Sequence, residues 1–149
     1  MSGKMLELSV DKFIFRFPED LLYSDSGLWL RPEGGLVRVG LSDFTQQRNG
    51  DIAFVEVRSE GTILEAGEEL AVVETIKVNL SIPSPLGGRI VEVNCALEGD
   101  PELVNLDPYL KGWLAVLEPS SWEDDKVDLK PAEAYVDLAR AQAEREIRR

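Results

Sequence analysis

Short apolar runs separated by turns rich in glycine and proline fill the middle of this 149-residue chain. Residues 52–57, 70–73, 80–82 and 89–93 form such runs, and each is too short for a typical helix. Glycine or proline occurs between the first and second runs and between the third and fourth, where an extended chain has to turn. Because no helix-length segment separates the runs, they favour an antiparallel sandwich or barrel over βαβ units. We therefore predict a mainly β fold.

The rest of the chain favours further short elements around this β core. We predict strands over residues 6–10, 13–17 and 112–117, and short helices over residues 44–48 and 95–98. Ser42 and Asn94 precede the two helices and are typical N-cap residues.

Pro131 fits the first turn of a C-terminal helix over about residues 131–147. Ala132, Tyr135, Val136 and Ala139 recur there at helical spacing and form one apolar face. We predict that this helix docks on the surface of the β core. The chain length fits a single domain over residues 1–149.

Negative charge and the absence of histidine exclude several classes of function. The chain holds 28 Asp and Glu residues against 16 Lys and Arg residues, for a formal net charge of −12. Such a charge repels phosphate, so we expect no nucleic-acid partner and no docking on an anionic membrane. Without histidine, Ser–His and Cys–His catalysis and His-ligated zinc are excluded. The single cysteine, Cys95, has no partner for an internal disulfide, and we expect it to be a small buried residue.

Sequence motifs of catalysis are also absent. The chain contains no GxSxG, no P-loop and no GxGxxG after a strand. The acidic run over residues 123–125 lacks the spacing of a calcium loop, and we predict a solvated loop there. The sequence therefore presents no candidate catalytic residue and no candidate metal-binding residue. No segment approaches the roughly 18 apolar residues of a membrane span or has the pattern of a signal peptide, so we expect a cytoplasmic protein.

Lys77 lies between the apolar runs 70–73 and 80–82, with room for only a short turn. Taken alone, a lysine in such a turn is most often an ordinary exposed cation. A turn between paired strands is also the way to display a lysine that carries a covalent group, since it places the amine on a rigid base.

The residues up to Lys77 form a recognisable motif. Glu74-Thr75-Ile76-Lys77 is similar to a Glu-Ser-Val-Lys signature in which the lysine carries lipoic acid, that of the glycine-cleavage H-protein family. Similar family segments follow the same order over about residues 28–117. They include Val39-Gly40-Leu41-Ser42-Asp43-Phe44, Gly50-Asp51-Ile52-Ala53-Phe54-Val55-Glu56-Val57, Ser84-Pro85-Leu86-Gly87-Gly88 and Pro101-Glu102-Leu103-Val104-Asn105.

The resemblance implies a barrel-sandwich hybrid fold with two small antiparallel sheets, short peripheral helices and a C-terminal helix. It also implies a carrier protein that is not itself an enzyme. Lipoic acid would be in amide linkage to Lys77, attached by a lipoate-protein ligase that recognises Glu74. Gly61 and Gly88 match family glycines that flank the lysine hairpin. A biotin carrier is disfavoured because Ile76 and Val78, not methionines, flank the lysine. The Asp-Lys-Ala motif of 2-oxoacid dehydrogenase lipoyl domains is absent.

Two pathways remain open for such a carrier. Gly27-Leu28-Trp29 keeps only the tryptophan of the family's His-Glu-Trp, and Ser81 stands where the family often has an acid. Val78-Asn79-Leu80 replaces a run of small residues after the lysine. These departures favour an H-like lipoate-binding protein that carries sulfur for a heterodisulfide-reductase-like complex. The alternative is glycine cleavage with glycine decarboxylase, aminomethyltransferase and dihydrolipoamide dehydrogenase.

Overall fold

A computed structural model describes residues 3–147 of the chain. The strands are β1 (Met5–Val10), β2 (Phe13–Pro18), β3 (Leu22–Tyr23), β4 (Leu28–Glu33), β5 (Leu36–Leu41), β6 (Ile52–Val57), β7 (Ile63–Leu64), β8 (Glu69–Thr75), β9 (Asn79–Pro83), β10 (Gly88–Val93), β11 (Ala115–Pro119) and β12 (Lys130–Pro131). The α-helices are α1 (Asp43–Asn49), α2 (Leu103–Leu106), α3 (Trp122–Asp125) and α4 (Ala132–Ile147), and 3-10 turns span Cys95–Glu98 and Lys126–Asp128.

The strands form three antiparallel sheets. The largest has the order β12-β3-β4-β5-β11-β10-β7, a second has the order β6-β8-β9, and β1 pairs with β2 as a separate hairpin. The predicted mainly β, barrel-sandwich fold with peripheral helices is thus confirmed. The hairpin adds a third sheet to the two that we expected.

The main core lies between the seven-stranded and three-stranded sheets. Along β4, Leu28 and Leu30 point into this core, whereas Trp29 points to the opposite face. This is the alternation that an extended strand imposes on its side chains. Gly40 lies directly opposite Trp29 on β5, and a Cβ at Gly40 would lie only 2.7 Å from atoms of the indole ring. Glycine at this position therefore leaves room for the tryptophan.

A second core fills the space between the β1–β2 hairpin, α1 and α4. It contains Trp29 with Phe15, Phe17, Phe44 and Tyr135. Apolar residues of α4 face this core, so the predicted docking of the C-terminal helix is confirmed. The hairpin is therefore not a loose extension, because its inner face is buried against α1 and α4.

Two stacked tyrosines lie in this second core. The rings of Tyr23 and Tyr135 are parallel, with centroids 4.7 Å apart, and both side chains are buried. The Tyr23 hydroxyl donates to the carbonyl oxygen of Pro18 at 2.8 Å, and the Tyr135 hydroxyl lies 3.0 Å from the Ser42 hydroxyl. Burial raises the pKa of both tyrosines above the ordinary value, since a phenolate would be poorly solvated there.

The predicted helix caps are confirmed. Ser42 precedes α1, and its hydroxyl accepts the N–H of Thr45 at 3.2 Å. Asn94 precedes the 3-10 turn, and its Oδ1 accepts the N–H of Ala96 at 3.2 Å. Each cap satisfies a backbone donor that the first helical turn leaves without a partner.

Several sequence-based predictions were wrong in detail. The strand predicted over residues 112–117 begins at Ala115, because Gly112 packs closely against the backbone of Leu103 and Trp113 still belongs to a turn. The C-terminal helix begins at Ala132 and not at residue 131, since Pro131 belongs to β12 and pairs with Leu22 of β3.

No helix within residues 3–147 is long and apolar enough to cross a membrane.

The predictions for Cys95 and for the acidic run were also wrong. Cys95 is exposed, because it opens the 3-10 turn while Leu97 of the same turn fills the core. The acidic residues 123–125 belong to α3 and its end rather than to a solvated loop. A carboxylate oxygen of Asp125 accepts the N–H of Gly87 at 2.9 Å and so ties α3 to the start of β10.

Candidate functional site

Lys77 is the middle residue of the three-residue loop that joins β8 to β9. The N–H of Thr75 donates to the carbonyl oxygen of Val78 at 2.8 Å and closes the loop. The Thr75 hydroxyl oxygen lies 3.1 Å from the N–H of Lys77 and 3.0 Å from the N–H of Val78, and accepts from both. The predicted tight turn is therefore present, and a threonine side chain satisfies its backbone donors.

The loop rests on the segment that follows α1. The N–H of Ile76 donates to the carbonyl oxygen of Asp51 at 3.3 Å. Gly50 has a φ of 84°, and a Cβ there would lie 3.5 Å from Cε and 3.9 Å from Nζ of Lys77. The hydrocarbon stem of Lys77 thus passes over Gly50, with the backbone beneath it.

Asn105 holds this segment in place from α2. Its Oδ1 accepts the N–H of Ile52 at 2.9 Å, and its Nδ2 donates to the carbonyl oxygen of Gly50 at 3.0 Å. The same Nδ2 donates to Oε1 of Gln46 at 2.9 Å. One side chain therefore links α2, the end of α1 and the start of β6. Apart from the position of Asn105 in a family-like segment, no sequence pattern indicates this role.

The surroundings of Lys77 suit a lysine that is modified by another enzyme. Lys77 is exposed, and no ion pair within residues 3–147 includes its amine. Its neighbours Ile76 and Val78 are apolar but 76% and 44% exposed, so they present contact area at the tip of the hairpin. Amide attachment of lipoic acid requires an accessible amine on a rigid loop. Lys77 meets this requirement, and its exposed apolar neighbours are compatible with the hydrocarbon part of the lipoyl group.

Of the other predicted site residues, Glu74 lies in the lysine hairpin, whereas Gly61 and Gly88 do not. Glu74 is exposed near the end of β8, paired with Asn79 on β9. Gly61 and Gly88 lie outside the lysine hairpin: the N–H of Gly61 donates to the carbonyl oxygen of Ile90 at 2.7 Å, and Gly88 begins β10. A Cβ at Gly88 would lie 2.3 Å from the carbonyl oxygen of Glu118. Close strand pairing explains glycine at position 88, and a role of either glycine in ligase recognition stays a prediction.

Ser81 lies on β9, four residues after the lysine. Its hydroxyl donates to a carboxylate oxygen of Glu69 on β8 at 2.6 Å. Negative charge is therefore present beside Ser81, although it comes from the neighbouring strand. Ser81 stands where the family often has an acidic residue, and Glu69 on the neighbouring strand supplies a negative charge at the same place.

A groove of about 330 Å³ adjoins Lys77, and sequence analysis did not anticipate it. The β1–β2 hairpin contributes Val10, Phe13 and Phe15 to its lining, and α4 contributes Ala143 and Ile147. Arg48 of α1 also lines the groove; its Nε donates to Oε1 of Glu146 at 2.9 Å. The groove depends on packing between the two ends of the chain, which no local pattern could reveal.

Comparison with known proteins places the chain in a family. The sequence model described as "Glycine cleavage H-protein" matches residues 21–142. The chain belongs to the glycine cleavage H-protein family. It is 43% identical over 126 residues to the glycine cleavage system H protein of Thermus thermophilus, covering 85% of this chain and 98% of the relative. A probable glycine cleavage system H protein of Aeropyrum pernix is 39% identical over 147 residues, covering 97% of this chain and all of the relative.

A solved structure supports the same family. The crystal structure of a glycine cleavage system H protein from Mycobacterium marinum superposes with a TM-score of 0.73 at 32% identity. It covers 81% of this chain and 97% of the solved chain. Members of the H-protein family carry lipoic acid on a lysine and are not themselves catalytic. The predictions of family, cofactor and non-enzymatic role are thereby confirmed.

The preference for sulfur oxidation receives no support from these comparisons. The relatives just described are named for glycine cleavage, and the predicted heterodisulfide-reductase-like partner is likewise unsupported. The departures from the family pattern near Lys77 predicted the pathway poorly. They concern only a few residues, whereas the similarity to glycine cleavage H proteins extends over most of the chain.

Proposed function

We propose that this lipoyl carrier serves glycine cleavage and that Lys77 is its lipoylated residue. The observation that carries the proposal is the exposed Lys77 amine at the tip of the closed loop between β8 and β9, within a chain of the H-protein family. Glu74 lies three residues before the lysine, as in the family signature, and is free to contact the ligase.

The chain itself supplies display and recognition. Thr75 and the Asn105-bound segment fix the base of the lysine, so that the attached arm moves while its anchor does not. When bound, the lipoyl group supplies the redox and group-carrying chemistry. Its partners would be the lipoate-protein ligase, glycine decarboxylase, aminomethyltransferase and dihydrolipoamide dehydrogenase.

Two details of the structure weaken the case for a sulfur carrier. The Glu69 carboxylate lies against Ser81, so the surface beside the lysine keeps a negative charge. Leu28, which replaces the glutamate of His-Glu-Trp, is fully buried in the main core. That replacement fills the core and presents no new surface to a partner.

The experiment that tests the proposal measures glycine-dependent exchange of CO2. The chain is loaded by a lipoate-protein ligase, its modification is verified by intact mass, and it is mixed with a glycine decarboxylase. The control is the Thermus thermophilus H protein at matched lipoylation. We expect rates within about tenfold of the control, since one missing contact of about 1.4 kcal/mol changes a rate tenfold.

Two results would contradict the proposal. Peptide mapping could find the lipoyl group on a lysine other than Lys77, which would overturn the attachment site. A fully lipoylated chain could fail to support exchange above the background of the unmodified protein. In that case the sulfur pathway becomes the better explanation, and reduction by a heterodisulfide-reductase-like complex is the measurement that follows.

A further inference from the structure

The backbone donors of the loop that carries Lys77 are all used within the chain. The N–H of Thr75 donates to the carbonyl oxygen of Val78 at 2.8 Å. The N–H of Ile76 donates to the carbonyl oxygen of Asp51 at 3.3 Å. The N–H groups of Lys77 and Val78 both donate to the Thr75 hydroxyl, at 3.1 Å and 3.0 Å. That hydroxyl in turn donates to the carbonyl oxygen of Val78 at 3.1 Å. The backbone of residues 75–78 therefore has no N–H left for an outside partner.

The carbonyl groups at the tip of the loop are free. All peptide bonds of residues 3–147 are trans, and a trans peptide group holds its N–H and C=O in opposite directions. The N–H groups of Lys77 and Val78 point at the Thr75 hydroxyl. The carbonyl groups of the same two peptide bonds, those of Ile76 and Lys77, therefore point away from it. Neither oxygen accepts a hydrogen bond from any residue in the range 3–147. The tip of the loop thus presents backbone acceptors and no backbone donors.

The Thr75 hydroxyl is what holds the loop in this shape. A three-residue hairpin loop commonly needs a residue in the left-handed region, which is unfavourable for a bulky side chain. Among the described residues other than glycine, only Asp11 has a positive φ, of 55°. Residues 76–78 therefore keep ordinary backbone angles. Hydrogen bonds to one side chain close the turn in place of a left-handed residue.

We propose that Thr75 is a positioning residue for the acylation of Lys77; the proposal rests on the function proposed above. Its hydroxyl holds the carbonyl groups of Ile76 and Lys77 outward, where N–H donors of the lipoate-protein ligase bind them. The exposed carboxylate of Glu74 lies close by along the chain, so positively charged donors suit this surface best. Thr75 touches none of the reacting atoms and acts only through the shape of the loop.

The transfer that this shape serves is an acyl transfer from an adenylate. The ligase forms lipoyl adenylate from lipoate and ATP. The Nζ of Lys77 then forms an amide bond to the lipoyl carbonyl carbon, and the bond from that carbon to the phosphate oxygen of AMP breaks. The protons lost by the amine pass to AMP and water. The loop has to present the amine to the adenylate, and binding of its carbonyl groups fixes that orientation.

Steady-state acylation of the full chain by a lipoate-protein ligase, with lipoate and ATP, tests the proposal. Thr75→Val keeps the shape of the side chain but removes the hydroxyl, so only a fraction of the chains holds the loop in the arrangement that the ligase binds. The apparent KM rises in inverse proportion to that fraction. We expect KM for the chain to rise about tenfold, with kcat within about twofold of the unaltered chain. Thr75→Ser keeps a hydroxyl and should leave KM within about twofold.

Thr62→Val is the matched control. Thr62 is half-buried like Thr75 and also lies in a turn, where its N–H donates to the carbonyl oxygen of Ser59 at 3.1 Å. Its hydroxyl makes no hydrogen bond to the described part of the chain, so we expect an unchanged KM. Melting curves verify that each variant folds. Should Thr75→Val not fold, Thr75→Ala is compared with Thr75→Ser instead.

The carbonyl groups themselves give a second measurement. The unaltered chain, labelled with ¹³C at its carbonyl carbons, is saturated with ligase and a sulfamoyl analogue of lipoyl adenylate that cannot transfer its acyl group. N–H donors that bind the carbonyl groups of Ile76 and Lys77 should move both ¹³C resonances downfield. The carbonyl group of Val78 is the internal control, because it already accepts hydrogen bonds from Thr75, and its resonance should not move in this way.

The outcomes separate this proposal from the proposed function. No acylation of Lys77 in the unaltered chain would overturn the attachment site and the role of Thr75 together. Acylation with equal KM for Thr75→Val and Thr62→Val, or failure of Thr75→Ser to keep a low KM, would overturn the role of Thr75 alone. So would a fall in kcat without a rise in KM, since positioning changes the fraction of chains that bind. Unmoved resonances of Ile76 and Lys77 in the saturated complex would contradict recognition through their carbonyl groups.

Discussion

The side-chain amide of Asn105 donates a hydrogen bond of 3.0 Å to the carbonyl oxygen of Gly50. The stem of Lys77 lies over this same glycine. Because Asn105 also accepts the N–H of Ile52 at 2.9 Å, one residue on α2 fixes the backbone on both sides of Asp51. The support of Lys77, the proposed carrier lysine, therefore depends on contacts that join residues more than fifty positions apart.

Asn105→Ala should destabilise the protein and loosen the support of the lysine loop. The change leaves the carbonyl of Gly50 and the N–H of Ile52 without their partner in a partly buried place, which costs about 1–3 kcal/mol. Urea unfolding measures the loss, and faster amide exchange at Ile52 localises it.

Asn49→Ala is the matched control for this change. The amide of Asn49 donates only to the carbonyl oxygen of Thr45, one turn earlier in the same helix. We expect a change of less than about 0.5 kcal/mol for this variant. Equal losses in both variants would show that Asn105 has no special part in supporting the loop.

Gly40→Ala tests the fit between β5 and Trp29. The added Cβ would lie 2.7 Å from the indole, so the ring or the strand has to move. We expect this movement to lower the free energy of unfolding by about 1–3 kcal/mol. In a Trp29→Phe background the smaller ring should relieve most of this loss, which a double-mutant cycle would record as coupling. Gly99→Ala is the control, since a Cβ there meets no atom within 4 Å. Additive losses at Gly40 and Trp29 would contradict the close fit.

Sequence patterns predicted those elements whose signals are local. The helix α1 was expected because Ser42, directly before it, is a good N-cap residue. The lysine hairpin was expected because two apolar runs are separated by only a few residues. In both cases, neighbours within a few positions determine the backbone.

Features that depend on distant contacts could not be predicted in this way. Cys95 seemed suited to the core, yet its neighbour Leu97 occupies that space, and only the folded turn decides between them. The groove beside Lys77 requires the hairpin and α4 to meet across nearly the whole length of the chain. Likewise, the charge beside Ser81 comes from Glu69, which the sequence places twelve residues earlier.

Lys77→Arg should abolish acylation and leave stability within about 0.5 kcal/mol of the unaltered chain, because one exposed cation replaces another. The matched control is Lys12→Arg. Lys12 is likewise exposed and also lies in a short hairpin loop, the two residues between β1 and β2. Intact mass after incubation with ligase and lipoate should show one added group on the control and none on Lys77→Arg. Modification of Lys77→Arg would mean that another lysine serves as the carrier.

Tyr23 and Tyr135 should make the protein less stable in alkali. Burial raises the pKa of each in the folded state, whereas in the unfolded chain a tyrosine ionises near pH 10. Their contribution is complete below pH 10 and is lost as pH rises above it, by up to about 1.4 kcal/mol per pH unit for each tyrosine. Tyr135→Phe removes one of these groups, so its free energy of unfolding should fall less steeply between pH 10 and 11.5 in urea titrations. At pH 7 the same variant should be less stable by about 1 kcal/mol, because it also loses the hydrogen bond to Ser42. Parallel pH profiles for the variant and the unaltered chain would show that Tyr135 ionises as readily in the folded state as in the unfolded chain.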